Sequence, residues 1–324
     1  MELTLLSTGE TAGFDLDSIG PRKGVWIDFV AATAWALQDA GHPASGFRGV
    51  LTGDLPIASG LSSSAALELA AAWALVGDMT PDLDRLELAR IAQRAENEYV
   101  GVQCGLMDQF AVACGERGSA LLLDCRTNEW NPVAIPNGLR LVVCHTGSDR
   151  VLAASDYNNR LAECRRAVAA IQQMDSHIRS LRDVDESMLN RLDGRLDDIA
   201  MARTRHVVTE NRRVAEAAEA LRDGDFDSLG RLFAASHASL RDDYQVSSPE
   251  LDFLVQIATG VPGVVAARMT GAGFGGCTIN LVTGDSAEQL RASVMTDYAS
   301  RTGRTPRVWE VEAVDGVSRL TGTT

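Results

Sequence analysis

The chain has 324 residues, 45% of them hydrophobic and 23% charged, which is the composition of a globular protein of one large domain or two ordinary ones. A formal net charge of -14 repels phosphate backbones and excludes nucleic acid as a partner. Lys23 is the only lysine, which excludes the lysine-dependent phosphate loop GxxxxGK[ST].

In chain order, ELTLLS alternates and predicts a short strand. WIDFVAATAWALQDAG has apolar residues at helical spacing and stops at Gly41, and GFRGVLTG reads as a strand. PIASGLSSSAALELA (56–70) runs three serines straight into ALELAAAWALVGD, a helix apolar nearly all round. PDLDRLELARIAQRAENEYV opens on proline and acids and continues at helical period. SALLLDC and LRLVVCHTG are strands, and Asp156 to about Arg241 is mostly helical. VVAARMT and CTINLVTGD are strands joined by GAGFGG; SAEQLRASVMTDYASR is a helix and RVWEVEAV a closing strand. This order lacks regular strand–helix alternation, so the fold class is α+β, in two lobes over 1–135 and 136–324. The break falls near NEWNPVAIPNGLR (128–140), where prolines and polar residues separate two strands.

The cysteines (Cys104, Cys114, Cys125, Cys144, Cys164 and Cys277) form no CxxC pair and read as reduced thiols of a cytoplasmic protein. MELTLLSTGETAG has neither the basic nor the apolar region of a signal peptide, and no apolar run is long enough to span a bilayer.

Three stretches carry chemistry. A helix N-terminus presents unpartnered amides and partial positive charge. Glycine lets the backbone approach a ligand, and serine hydroxyls add donors. Gly60, Leu61, Ser62, Ser63 and Ser64 thus make a cradle for phosphate, although a single serine there could also simply cap the helix. In AENEYVGVQCGLMDQF (95–110), Asp108 near a helix start is either a first-turn acid or a proton acceptor for a substrate hydroxyl. Glu96 is either a solvated acid or a Mg²⁺ ligand. MTGAGFGGCTINLV (269–282) puts four glycines within six residues, more than a turn requires, which implies close approach to a ligand or another loop. A strand, not a helix, follows its GxGxxG, so NAD is rejected.

Together with SDYNNRLAEC (155–164), ARTRHVVTE and SHASLRDDYQVSSPELD, these stretches resemble the galactokinases of the GHMP sugar-kinase family, in the right order over roughly residues 20–313. The resemblance implies a two-lobed fold: an N-terminal lobe like domain 2 of ribosomal protein S5 and a ferredoxin-like C-terminal lobe. It implies a monomeric kinase that uses ATP and Mg²⁺ to phosphorylate the anomeric hydroxyl of galactose. Gly60, Leu61, Ser62, Ser63 and Ser64 would cradle the triphosphate, with Ser63 and Glu96 on the metal. Asp108 would be the base, Gly105 and Tyr157 would line the sugar, and Trp26 would contact adenine. His206, His237 and Arg241 are expected to be structural, and Cys277 a small buried residue. The family's first motif, of the form GRxNLIGEHTDY, is absent from the chain, so a truncated N-terminal lobe is expected. A sister kinase for arabinose or a uronic acid, and a non-catalytic sugar and nucleotide sensor, are the alternatives.

Overall fold

The structure, a computed structural model, describes residues 1–57, 60–79, 83–148 and 153–319, with the backbone alone at 78 and 153–155. The chain divides into two compact units: Met1–Ile57 with Leu61–Pro132 and Ala313–Thr324, and Ala58–Gly60 with Val133–Glu312.

In the first unit, β1 (Glu2–Leu5) pairs antiparallel with β2 (Thr11–Gly13) and parallel with β3 (Arg48–Leu51), β1 being central. Between β2 and β3 runs α1 (Ile27–Asp39), which stops where Gly41 turns to φ 82° and donates its amide to Gln38. The helices α2 (Ser63–Val76), α3 (Arg85–Arg94) and α4 (Met107–Cys114) follow. Leu37, Leu69, Leu75, Leu88 and Phe110 from all four helices form one core. The proline expected to open the third helix lies outside the described residues; Asp84 caps α3 by accepting the Glu87 amide. A π-helical turn, Ala95–Val100, continues α3 and ends at Gly101, φ 85°.

The hairpin strands β4 (Ser119–Leu123) and β5 (Trp130–Ala134) form a two-stranded ribbon. β5 lies in the stretch read from the sequence as a break. Pro132 donates no amide, and an edge position in a ribbon tolerates that.

The second unit is built on β6 (Leu139–His145). Then come α5 (Ala153–Gln172), α6 (Glu186–Leu192), α7 (Asp198–Asp223), α8 (Phe226–Asp242) and α9 (Pro249–Thr259). The sequence reading did not anticipate α9, although Ser248 caps it and Pro249 fills its first turn. β7 (Val264–Thr270), β8 (Cys277–Thr283), α10 (Ser286–Ser293), a π turn, α11 (Ala299–Thr302) and β9 (Arg307–Val311) complete the unit. Its sheet is antiparallel in the order β7-β8-β6-β9, the ferredoxin-like arrangement. Successive residues face opposite sides of a strand. Val142 and Val282 therefore pack with Leu254 and Leu290 of α9 and α10, while Leu139 and Leu281 pack with Ala220 and Leu229 of α7 and α8. Burial on both faces explains why these strands read as continuous apolar runs.

Candidate active site

The backbone of the GLSSS stretch bends twice into the left-handed region, at Gly60 (φ 80°) and at Ser62 (φ 56°). Ser62 occupies the N-cap position of α2, yet its side chain makes no capping hydrogen bond. Capping therefore does not account for this serine. A left-handed non-glycine residue carries strain, which persists where the surrounding structure holds a functional conformation. The first amides of α2 follow directly, and alternating backbone handedness of this kind forms anion-binding concavities. Ala58 and Ser59 of the same stretch lie outside the described residues.

Behind the loop is a group of acids. Glu96, in the π-helical turn, is only 8% exposed, so it is not a solvated surface acid. Its Oε1 accepts the Ser64 hydroxyl at 3.3 Å, and its Oε2 accepts Gln109 Nε2 at 2.6 Å and the Cys104 thiol at 3.4 Å. The loop serine that meets Glu96 is thus Ser64; the side chain of Ser63, half-buried at the start of α2, makes no hydrogen bond among the described residues. Glu68, one turn along α2 from Ser64, is 0% exposed and accepts the same Gln109 nitrogen at 3.4 Å. Burial pushes the Glu68 carboxyl up to about 9, helped by the charge of Glu96 and opposed by the Gln109 bond. Burial also raises Glu96 and, with the charge of Glu96, takes the Cys104 thiol to about 12. That thiol is an unreactive neutral donor at neutral pH.

Asp108 is exposed in the first turn of α4, where the helix end favours its negative charge. Among the described residues nothing hydrogen-bonds its carboxylate, while its charge raises both Glu68 and Glu96. No cationic side chain pairs with Glu68, Glu96 or Asp108 among the described residues. Gly105 is exposed and a Cβ there would meet nothing within 4 Å, so its backbone is open to a ligand. Trp26 precedes α1, half-buried against Leu3 and Ile27, with its Nε1 donating to Glu10 at 3.0 Å.

Tyr157 is half-buried on α5 of the second unit. In the same unit, the fully buried Arg203 donates to Glu163 at 2.7 Å, to the Asp243 carbonyl and to Gln245 Oε1 at 2.9 Å. Arg160 also pairs with Glu163. Burial works against the charged Glu163, but the two guanidiniums hold it below the usual carboxylate range. His206 is buried, stacks on Tyr244 at 4.4 Å and bonds Ser239 at 2.9 Å; burial lowers it to about 4. His237 is buried too, with Nε2 3.1 Å from Asp252, whereas Arg241 is exposed and bound to Asp242. Cys277 is fully buried.

The second glycine loop closes on another loop. Gly271, Gly273, Gly275 and Gly276 all have positive φ, and Phe274 between them has φ 58°. The Phe274 amide donates to the Val246 carbonyl at 2.7 Å, and a Cβ on Gly273 would lie 2.1 Å from that oxygen.

Glu68, Gln109 and Cys104 were not singled out from the sequence. The available signal was one acid inside ALELAAAWALV, a charge that a buried helix keeps only when it is neutralised or bonded.

Residues 28–116 match the model of the GHMP kinases N terminal domain, and residues 217–300 that of the GHMP kinases C terminal domain. A galactokinase of Roseiflexus sp. (strain RS-1) is 45% identical over 307 residues, covering 95% of this chain and 78% of that protein. A galactokinase of Limosilactobacillus fermentum is 37% identical over 319 residues, 96% of this chain and 82% of that one. The structure of Lactococcus lactis galactokinase complexed with galactose superposes with a TM-score of 0.91 at 36% identity, covering 98% of this chain and 84% of that one. Methanococcus jannaschii mevalonate kinase, at 18% identity and a TM-score of 0.64, shares the fold. The chain belongs to the GHMP kinases and, within them, to the galactokinase family.

Proposed function

We propose that the chain transfers the γ-phosphoryl group of ATP to the anomeric hydroxyl of galactose. The observation that carries this reading is the exposed Asp108, without a hydrogen-bond partner among the described residues, on the same helix end as the buried Gln109–Glu96–Ser64 chain, next to a strained loop. The sugar oxygen attacks the γ-phosphorus, its proton passes to the Asp108 carboxylate, and the bond to the β-phosphate oxygen breaks to release ADP. Such transfers need little covalent help from the protein and depend on positioning and charge. The amides that follow Gly60 and Leu61 cradle the phosphates, with Ser62, Ser63 and Ser64 adding hydroxyls. Gly105 and Tyr157 serve the sugar, and the Trp26 ring serves adenine. The lobes change over near residue 135, with Ala313–Thr324 belonging to the first unit, and the enzyme acts as a cytoplasmic monomer.

Among the described residues, no group of three or more His, Cys, Asp and Glu side chains could hold a metal ion. Magnesium arriving with nucleotide needs only one or two protein oxygens, since phosphates and water fill the rest. Glu96 and Ser64 supply those oxygens, with Ser63 the other serine at the loop, and acids lacking a counter-charge suit a dication. When bound, Mg²⁺ offsets charge on the β- and γ-phosphates.

The test is ADP release with galactose, arabinose and a uronic acid, for the parent chain and Asp108→Asn. Galactose should be preferred, and Asp108→Asn should lose about 10²-fold or more in kcat while MgATP affinity stays within a few-fold. Preference for another sugar overturns the substrate. Retention of a tenth or more of the rate by the amide overturns the base.

A further inference from the structure

We propose that Gln109 is a positioning residue for the Glu96 carboxylate, anchored from behind by Glu68, and that it sets how tightly the nucleotide-bound divalent cation is held. This rests on reading Glu96 and Ser64 as the metal-holding pair.

Gln109 is 0% exposed. Its Nε2 has two hydrogens and meets two carboxylates, Glu96 Oε2 at 2.6 Å and Glu68 Oε2 at 3.4 Å. The two oxygens of Glu96 are thereby divided. Oε2 is held from inside by Gln109 and Cys104, while Oε1 faces the phosphate-loop serine at a looser 3.3 Å. A carboxylate fixed through one oxygen keeps the other aimed at a ligand, as partners behind a metal ligand generally do.

The residue type fits this task. An acid at 109 would repel both Glu68 and Glu96. A lysine or arginine would neutralise Glu96 and compete with the cation. An apolar side chain would free the carboxylate to rotate. Only an amide supplies neutral donors of this reach to both acids. The remaining oxygens, Glu68 Oε1 and Gln109 Oε1, are buried without a partner among the described residues. Two unpartnered acceptors lack a donor, and a proton on Glu68 supplies one. Placement matters as well. Gln109 follows Asp108 on α4, so one helix end carries the exposed acid outward and the buried amide inward. A movement of α4 that displaces the acid also displaces the support of Glu96.

The experiment uses Gln109→Leu, Glu68→Leu and, as the reference, Glu96→Ala. Each is titrated with Mn²⁺ in the presence of a non-hydrolysable ATP analogue, by calorimetry and by the electron paramagnetic resonance of free Mn²⁺. Nucleotide binding in EDTA, the galactose KM and the melting temperature are measured alongside. Gln109→Leu should weaken Mn²⁺ binding about tenfold, the scale of losing support behind a ligand, with nucleotide binding in EDTA and galactose KM within about twofold. Its kcat should recover with excess Mg²⁺, which a general loss of structure would not allow. Glu68→Leu, an apolar replacement of a buried acid that should fold, is expected to weaken Mn²⁺ binding several-fold. If Glu96→Ala loses Mn²⁺ affinity while Gln109→Leu and Glu68→Leu keep it, the positioning role is overturned. If Glu96→Ala itself keeps full affinity, the metal reading on which the proposal rests falls first.

Discussion

The hydroxyl of Ser64 donates to Glu96 Oε1 at 3.3 Å, across 32 residues of sequence. Ser63, its neighbour, makes no such bond among the described residues. This asymmetry separates two loop serines that look equivalent in GLSSSA. Ser64→Ala should raise the Mg²⁺ concentration for half-maximal rate about tenfold, the worth of one hydrogen bond to a charged group. Ser63→Ala should raise it less, and neither should change nucleotide binding in EDTA by more than about twofold. A larger effect at Ser63, read from Mg²⁺ titrations of the rate, would move the metal to that residue.

Ser62 holds φ 56° without a capping bond. Glycine adopts this region freely, so Ser62→Gly relieves about 1 kcal/mol of strain and returns much of it as extra freedom in the unfolded chain. Its melting temperature should therefore stay within about 3 °C of the parent. A β-branched residue is a true outlier here, and Ser62→Val should lose about 2 kcal/mol and most nucleotide affinity. Thermal melts with and without ATP check both. A Val variant as stable as the parent would show that the loop relaxes out of this conformation.

At Gly273, φ 83° is combined with a Cβ position 2.1 Å from the Val246 carbonyl oxygen and 2.9 Å from the Met269 methyl. The carbonyl is backbone and accepts the Phe274 amide at 2.7 Å, so it cannot move aside without losing that bond. Gly273→Ala should cost about 2–4 kcal/mol in denaturant unfolding. Gly303→Ala makes a useful comparison, since φ is 66° there but no atom lies within 4 Å. It should cost only the conformational part, about 1 kcal/mol. Equal losses at the two positions would show that the approach to Val246 is unimportant.

Glu68 makes stability depend on pH in an unusual direction. Its carboxyl is raised from 4.5 to about 9, so over that interval the folded chain keeps a proton that the unfolded chain has released. The folded state then binds more protons, and this group's contribution is fully present below the unfolded value and lost as pH rises toward 9. The loss by pH 7 is on the order of 3 kcal/mol. In EDTA, Glu68→Gln cannot release that proton, and its unfolding free energy should fall less steeply than the parent's between pH 5 and pH 9. Parallel profiles for the two proteins would place a charged Glu68 in the fold.

Much of the fold was legible because its signals are local. Apolar spacing marked α1 and α2, Gly41 marked the end of α1, and the apolar runs on either side of GAGFGG marked β7 and β8. The GLSSSA loop, Asp108 and Tyr157, proposed above for phosphate, base and sugar, were singled out as motifs, because the residues within each stretch lie close together in the chain. β5 and α9 escaped, since Pro132 argues against a strand and the cap of α9 sits in a polar stretch. The acid group was legible only in part: Glu96 and Ser64 were named from the sequence, whereas Glu68, Cys104 and Gln109 were not. Ser64, Glu68, Glu96, Cys104 and Gln109 come from α2, the π-helical turn, a loop and α4, and only helix packing brings them to one place. The raised carboxyls of Glu68 and Glu96 and the raised Cys104 thiol follow from that burial, because desolvation and like charge act through space. The sequence alone therefore determined helices with strong local signals such as α1 and α2 and the loop proposed to hold phosphate, while the tertiary structure decided that Ser64 meets Glu96 and that Gln109 joins Glu96 to a buried Glu68 whose carboxyl is raised.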